Sequence, residues 1–428
     1  MRSSLAIALA TTLGLSGCDL RVSNPGAIDP AALQDVRYIN LMVNGVIGEF
    51  QPMFSTYYQA LFTDELYNHH VYFEEREIDL RRIPETSGTY NVFLFTPMHR
   101  ARFLADSIAS RLRNLLGDSA ARDLRLARVL AYGGYTYTLM GEALCETPIN
   151  LSRPYRSDEL LQMAIDRFQQ AIAVAEAAKA ATTVAAVRNG ADSVANLARV
   201  GAARAALNLG NRTLVLQFAA AVPANFEFRV WHSENSSREY NPFSNRFAEG
   251  ASNVSASVSN TPFQGLNDPR VPHPPQTERT MNGALAFVPN SPSAFSTYTG
   301  TLPGGEFTRS ASVRLASGLE ARYIRAEAEG LSADNVAFVN QRRAIGGQAP
   351  LTNPTPEQYL AALREQRARD FFLNGQRLGD LRRYKRLYNL NLFPTGPYPG
   401  GVAGETYGDQ ECWPITLAER QGNPYYRP

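Results

Sequence analysis

The sequence is poor in several chemically informative residue types. Of its 428 residues, three are cysteine and five are histidine, and the 42 basic residues include only two lysines, Lys179 and Lys385. The formal net charge of +2 leaves no strong field that would favour nucleic acid or an anionic membrane surface. No GxSxG, HExxH, phosphate-loop, Rossmann or EF-hand pattern occurs. The sequence therefore predicts no nucleic-acid partner, catalytic residue, metal site or cofactor.

Long hydrophobic runs are also missing. Leu5 to Leu15 forms an apolar run after a short positive start, but it is too short to span a bilayer as a mature helix. It ends in Leu-Ser-Gly-Cys18, which resembles a bacterial lipobox, in which the cysteine is acylated and becomes the first residue. An ordinary secretory signal is the alternative. We predict a signal peptide in residues 1–17, lipidation at Cys18 and a tether over 18–27, with the lipid as the anchor.

The two remaining cysteines are Cys145 and Cys412. An exported protein lives where disulfides persist, and two cysteines allow one bridge. Such a bridge would tie the C-terminal tail to the end of a helix in the middle of the chain. Two free thiols are the alternative, and the sequence does not choose between them.

The composition is that of a globular chain, with 44% hydrophobic and 19% charged residues, and its longest patterns are amphipathic helices. Residues 122–141 carry a Leu–Gly–Tyr spacing, and the helix opening at Ser157 carries Ala164, Phe168 and Ala171. These spacings resemble the two halves of a tetratricopeptide repeat. Further helix pairs are predicted at 193–209 with 213–222 and at 313–330 with 334–345, and another helix begins at Thr355.

These patterns predict a mostly α fold, an α-α superhelix of tetratricopeptide-like repeats with a loop-rich irregular insertion. Pro, Ser, Asn, Gly and Thr dominate the insertion, although its aromatic residues argue against simple disorder. The predicted parts are an N-terminal helical-repeat part at 28–224, the insertion at 225–312, a C-terminal helical-repeat part at 313–392 and an irregular tail at 393–428.

Four segments carry a family resemblance. Residues 365–384 end in Gly375-Gln376-Arg377-Leu378-Gly379-Asp380-Leu381-Arg382-Arg383-Tyr384, and 413–415 read Trp-Pro-Ile. Upstream lie an Ala-Glu-Ala helix at 319–329 and an Asn-x-Arg-Arg-Ala helix at 340–344. Together they resemble the SusD/RagB nutrient-binding lipoproteins of Gram-negative outer membranes. Asp370, Asn374, Leu378 and Thr416 depart from the usual pattern, which puts the sub-group and ligand in doubt more than the fold.

The resemblance implies a function as well as a SusD-like fold. Such a protein is lipid-anchored in the outer membrane and exposed at the cell surface. There it captures an oligosaccharide or another polymeric nutrient and acts as a lid on a SusC-like TonB-dependent transporter. A tetratricopeptide scaffold that binds protein partners is the alternative, because helical repeats commonly bind proteins.

Neutral glycans bind to aromatic faces flanked by side chains that form hydrogen bonds with hydroxyl groups. Two regions offer that mixture, an N-terminal segment and the insertion. The candidate ligand-binding residues are Tyr67, Asn68, His69, His70, Tyr72, Arg76, Asp79, Trp231, Tyr240 and Tyr298. Core filling or contact with the transporter is the alternative for each of them. A glycosidase built on carboxylates such as Glu74 and Asp79 is a further alternative.

Overall fold

The mostly helical architecture predicted from the sequence is confirmed. A computed structural model describes residues 32–54, 56–70, 72–244, 255–271, 273, 278–280, 285–287 and 307–426. Cys18 and Tyr298 lie outside these residues, as do the predicted signal peptide and tether. Within them, no helix is both long enough and apolar enough to cross a membrane.

The N-terminal part consists of helices around a large apolar core. Two 3-10 turns, Ala32–Gln34 and Val36–Tyr38, precede α1 (Ile39–Met53), α2 (Thr56–Phe62), α3 (Phe73–Asp79), α4 (Gly88–Tyr90), a π-helical turn (Asn91–Phe95) and α5 (Thr96–Leu116). A 3-10 segment, Gly117–Arg122, leads into α6 (Leu124–Ala143). In the core, Phe50 of α1 meets Tyr132 of α6 edge to face, with ring centres 4.9 Å apart. The first helix is thereby fixed against the repeat helices.

The repeat helices pack as the tetratricopeptide-like spacing predicted. They are α6, α7 (Ser157–Ala180), α8 (Ala185–Leu209) and α9 (Arg212–Ala219). Phe168 of α7 is fully buried against Gly134 of α6 and Gly201 of α8. The segment between α6 and α7 contains an antiparallel hairpin of β2 (Glu146–Pro148) and β3 (Pro154–Arg156), whereas β1 (Tyr67–Asn68) lies upstream, before α3. The α8 helix begins eight residues before the predicted start at residue 193.

The insertion is framed by a strand pair that the helical patterns missed. β4 (Glu227–Val230) pairs antiparallel with β8 (Val313–Ser317). The prediction of a helix over 313–330 is therefore wrong for its first five residues, which form β8. The ladder supplies the backbone hydrogen bonds of this segment, and Ser317 then caps α10 (Gly318–Glu329) by accepting from the Glu320 amide at 3.1 Å. Among the described residues, the remaining strands are β5 (Ala256–Ser257), which pairs with β1, and β6 (Glu278–Arg279), which pairs with β7 (Leu285–Ala286).

The C-terminal helices follow the predicted signals closely. They are α10, α11 (Ala333–Ile345), α12 (Pro356–Asp370), α13 (Arg377–Tyr388) and the short α14 (Leu417–Gly422). Thr355 and Gln358 form a capping box at the start of α12. A second apolar cluster that includes Tyr323, Phe338 and Tyr359 joins α10, α11 and α12.

Arginines and carboxylates of the family-like segment form a buried ion network. Arg383 donates to both oxygens of Glu327 at 2.9 Å and to Asp380 at 2.8 Å. Arg367 donates to the other oxygen of Asp380 at 2.7 Å. Nearby, Arg204 of α8 donates to Glu142 of α6 at 2.7 Å. Arg383 also donates to Asn208 of α8 at 2.8 Å, so the network connects the two groups of repeat helices.

The C-terminal tail, which contains the short α14, packs on the helical body. Trp413 is fully buried, and its amide donates to the Ala143 carbonyl at 2.7 Å. Cys145 and Cys412 are joined in a disulfide with Cα atoms 5.0 Å apart. Of the two alternatives, a disulfide or two free thiols, the structure has the disulfide. It fixes the tail at the C-terminal end of α6.

Candidate functional site

Four exposed apolar side chains form the clearest candidate for a ligand-binding surface. Tyr72 and Phe73 lie at the start of α3 and are 65% and 66% exposed. Val92 and Phe93 lie on the π-helical turn before α5 and are 58% and 51% exposed. We call these four residues the aromatic surface. Contiguous exposed patches of large apolar side chains, unlike single exposed residues, are typical of binding surfaces.

Hydrogen bonds hold the two halves of the aromatic surface together. The Glu74 carboxylate accepts from the amides of Gly88, at 3.2 Å, and Thr89, which ties the first turn of α3 to α4. These bonds, with Thr89 the main contributor, lower the pKa of Glu74. On the other side, the buried Tyr58 ring stacks under Phe93 with ring centres 6.1 Å apart. The Tyr58 hydroxyl reaches Glu75 of α3 at 3.4 Å, so one buried tyrosine supports both halves.

Only some of the sequence-predicted residues reach the surface. Tyr67, Asn68, His69 and Asp79 are buried, with at most 7% of their area exposed. The Tyr67 hydroxyl donates to the Pro399 carbonyl, and His69 Nε2 lies 2.8 Å from the Ser257 hydroxyl. Burial removes their ring faces and polar atoms from a ligand in solution. The prediction that these four contact a ligand is therefore not supported, and they support the segment from beneath.

Asp79 is the most strongly perturbed of these groups. Its Oδ2 atom accepts from the Asn68 amide and from the Tyr398 hydroxyl, both at 2.7 Å. Burial raises the pKa of Asp79 to about 7, against the lowering effect of these bonds. Arg76, half-buried, pairs with Glu405 and lies 5.2 Å from the centre of the Tyr398 ring. These contacts lock α3 onto the C-terminal tail. Because Asp79 is buried and Glu74 caps backbone amides, their geometry gives the glycosidase alternative no support.

His70 and Tyr72 form the contact between the buried and exposed parts of the segment. His70 is half-buried, and its Nδ1 atom accepts from the Tyr72 amide at 3.0 Å. The two rings lie 4.2 Å apart between centres. His70 therefore orients Tyr72 and leaves most of the tyrosine in solvent.

In the insertion, Trp231 is open and Tyr240 is partly covered. Trp231 is 73% exposed, and its carbonyl accepts from the Gln51 side chain at the end of α1, at 2.8 Å. The Arg309 guanidinium lies 4.9 Å from the centre of the Tyr240 ring. Trp231 thus offers a free indole face, whereas Tyr240 already has a cation over its ring. In the described part of the chain, no group of three histidine, cysteine or acidic side chains is placed to hold a metal ion.

Comparisons with solved structures decide the fold. A SusD superfamily protein from Bacteroides fragilis matches over 91% of this chain and 98% of its own, with a TM-score of 0.62 and 11% identity. A SusD/RagB family protein from Bacteroides thetaiotaomicron matches over 91% and 95%, with a TM-score of 0.61 and 15% identity. The chain has the SusD fold. A scan of family models finds no match, and neither does a search of curated proteins.

One match to the SusD fold holds a ligand. It is surface glycan-binding protein A from Bacteroides thetaiotaomicron, in complex with laminarihexaose. It matches over 92% of this chain and 98% of its own, with a TM-score of 0.64 and 12% identity. The SusD-like fold predicted from the four sequence segments is thus confirmed.

In this SusD fold, the exposed aromatic residues of both regions lie outside the repeat helices. The aromatic surface precedes α5, and Trp231 follows β4. Phe73, Val92 and Phe93 are not among the candidate ligand-binding residues predicted from the sequence. Phe73 lies inside the predicted segment but carries no polar group to mark it. Phe93 lies in an apolar run that predicts a buried position. Only its placement on the π-helical turn shows that it is exposed.

Proposed function

We propose that this chain is a surface-exposed lipoprotein that captures a nutrient oligomer, in the first place a glycan. It then delivers the oligomer to a SusC-like TonB-dependent transporter in the outer membrane. The observation that carries the proposal is the aromatic surface on a SusD fold. Aromatic rings stack against the apolar faces of sugars. The hydrogen bonds to Glu74 and the stacking of Tyr58 under Phe93 order the aromatic surface before a ligand binds.

The glycan part of the proposal is tested by titrating the mature protein with laminarihexaose and with matched oligomers of starch, xylan and mannan. We expect saturable heat of binding for at least one oligomer and none for its monosaccharide, since several rings must be engaged together. A protein that binds none of these oligomers, while keeping its folded circular dichroism spectrum, contradicts the glycan proposal.

The transport part is tested by gentle detergent extraction of the tagged protein from native membranes. We expect a TonB-dependent barrel to co-purify in stoichiometric amount, and we expect the Cys18→Ser variant to leave the membrane fraction. Recovery with periplasmic or envelope-assembly proteins, and without a barrel, would instead favour the tetratricopeptide scaffold.

A further inference from the structure

A cavity lies among the repeat helices and shares no residue with the aromatic surface. It has a volume of about 570 Å³, which is within the range of small-molecule sites, roughly 300–1,000 Å³. Its walls come from the end of α6, the start of α7, the end of α8 and the middle of α13. Cys145 of the disulfide also lines it. We call it the basic cavity.

Cationic side chains outnumber carboxylates in the lining of the basic cavity. Five cationic side chains and three carboxylates line it. Each carboxylate is already engaged: Glu142 by Arg204, Asp158 by Arg156 at 2.9 Å, and Glu411 by Lys385. Arg383, Arg156 and Lys385 are thus neutralised by ion pairs. Two guanidinium groups remain, those of Arg382 and Arg386.

These two arginines have carbonyl partners only. Arg382 uses one nitrogen, Nη1, to donate to the carbonyls of Gly141, Glu142 and Leu144 at 2.7–3.2 Å. Arg386 donates from Nη2 to the Asn208 carbonyl. Arg382 is partly buried and Arg386 is exposed, and neither forms an ion pair with a carboxylate of the described chain. Their remaining N–H groups are available to a ligand in the cavity.

The electrostatic state of the pair agrees with this geometry. Burial lowers the pKa of Arg382 to about 10, and burial likewise lowers the pKa of Arg386. The Glu142 and Glu411 carboxylates oppose this effect at Arg382, as Asp158 does at Arg386, and the charge of Arg386 lowers the pKa of Arg382 by a smaller amount. Two like charges in a partly desolvated cavity repel each other, and an anion placed between them would remove that cost.

We propose that the basic cavity binds an oxyanion, through charge-assisted hydrogen bonds from Arg382 and Arg386. The planar fork of a guanidinium matches the geometry of a carboxylate, sulfate or phosphate. The anion is either a free inorganic ion or the acidic group of a small molecule such as an acidic sugar.

The experiment is a titration of the full mature protein with sodium sulfate and with sodium glucuronate. Sodium chloride at equal ionic strength and glucose are the blanks, and calorimetry and thermal unfolding are the readouts. We expect saturable binding of at least one oxyanion and no effect of glucose. Sulfate binding as tightly as glucuronate identifies a free-ion site, and markedly tighter glucuronate binding identifies an acidic-sugar site.

Variants assign the binding to the cavity. Arg386→Gln should weaken oxyanion binding at least about tenfold, because it removes one charge-assisted contact, while Arg386→Lys should retain part of it. Arg325→Gln is the matched control, an arginine on the surface of α10 that should bind like the wild type. Oxyanions that act no differently from chloride, or an Arg386→Gln variant that binds like the wild type, overturn the proposal.

Discussion

Phe168 fills a space that two glycines leave open on neighbouring helices. A Cβ atom at Gly201 would lie 2.2 Å from the Phe168 ring, and one at Gly134 would lie 2.6 Å from it. Real Cβ atoms do not approach so closely, and a buried ring between three helices has no room to move. The spacing of small residues that resembles a tetratricopeptide repeat therefore has a steric cause in this chain.

The variant Gly201→Ala should lower the free energy of unfolding by about 1–3 kcal/mol, because the added methyl overpacks the core. Gly190→Ala on the same helix is the control. Its Cβ would meet Leu124 at an ordinary 3.6 Å, so we expect no loss and a gain of up to about 1 kcal/mol from helix propensity. Equal stability of the two variants in urea would contradict the argument, and Phe168→Leu should partly rescue Gly201→Ala.

A buried acid, Glu65, predicts a pH effect. One oxygen accepts from the Leu373 amide at 2.9 Å, and the other is buried without a partner in the described chain. Burial raises the pKa of Glu65 from 4.5 to about 8. The folded state thus binds a proton that the unfolded state releases. The stability from this group is full below pH 4.5 and is lost as the pH rises towards 8.

Glu65→Gln should remove this dependence. Relative to the variant, the wild type should lose on the order of 4 kcal/mol between about pH 4.5 and pH 8. Urea unfolding at four pH values measures the difference. Glu176→Gln, at an exposed ion pair, controls for the loss of a charge. Parallel pH profiles of the wild type and Glu65→Gln would show that Glu65 is ionised in the folded protein.

At the scale of helices and strands, the family-like segment acts as an electrostatic connector. Arg383 on α13 reaches Glu327 on α10 and Asn208 on α8, and all three side chains are buried. The Arg383→Met variant leaves Glu327 buried and without this partner, so we expect a loss of about 3–5 kcal/mol. Arg325→Gln breaks an exposed pair on α10 and should cost less than about 1 kcal/mol. Similar losses in the two variants would contradict this role.

The disulfide connects the end of α6 with the tail. Replacing both Cys145 and Cys412 by serine should lower the free energy of unfolding by about 2–4 kcal/mol, because the bridge restricts a long loop in the unfolded chain. The buried Trp413 should keep the tail in place in the folded variant. Wild type unfolded in the presence of a reductant should match the variant. Two free thiols in the untreated protein would contradict the bridge.

The helices from α6 to α12 could be predicted from the sequence, because their signals are local. Thr355 and Gln358 mark the start of α12, and Ser157 marks the start of α7. The strand β8 could not be predicted, because its partner β4 lies more than 80 residues upstream and the pairing has no local signal. Because β8 is followed directly by α10, the sequence pattern of the two elements predicts one longer helix.

The candidate site was harder to predict than the fold. Within residues 67–79, Tyr67 is buried and Tyr72 is exposed, although both tyrosines lie within three residues of His69 and His70. What separates them is contact with the C-terminal tail, through Pro399 and Tyr398. The tail lies more than 300 residues away along the chain. Composition could locate the segment, but tertiary contacts decide which of its rings face solvent.

At the scale of the whole molecule, folding leaves several aromatic rings uncovered. Tyr72, Phe73 and Trp231 are each more than 60% exposed, so their removal should change the free energy of unfolding by no more than about 0.5 kcal/mol. Either a glycan or the transporter could cover them. The two alternatives differ in which binding partner is lost when the rings are removed.

We expect the Tyr72→Ala/Phe73→Ala variant to bind its best oligosaccharide at least about tenfold more weakly, roughly 1.4 kcal/mol, with an unchanged melting temperature. Tyr425→Ala, an equally exposed tyrosine outside the aromatic surface, should bind like the wild type. Calorimetry gives the affinity, and the detergent pull-down is repeated on the same variants. If sugar binding is kept while the barrel no longer co-purifies, the aromatic surface is a transporter contact. The glycan must then bind elsewhere, with Trp231 as the next residue to replace.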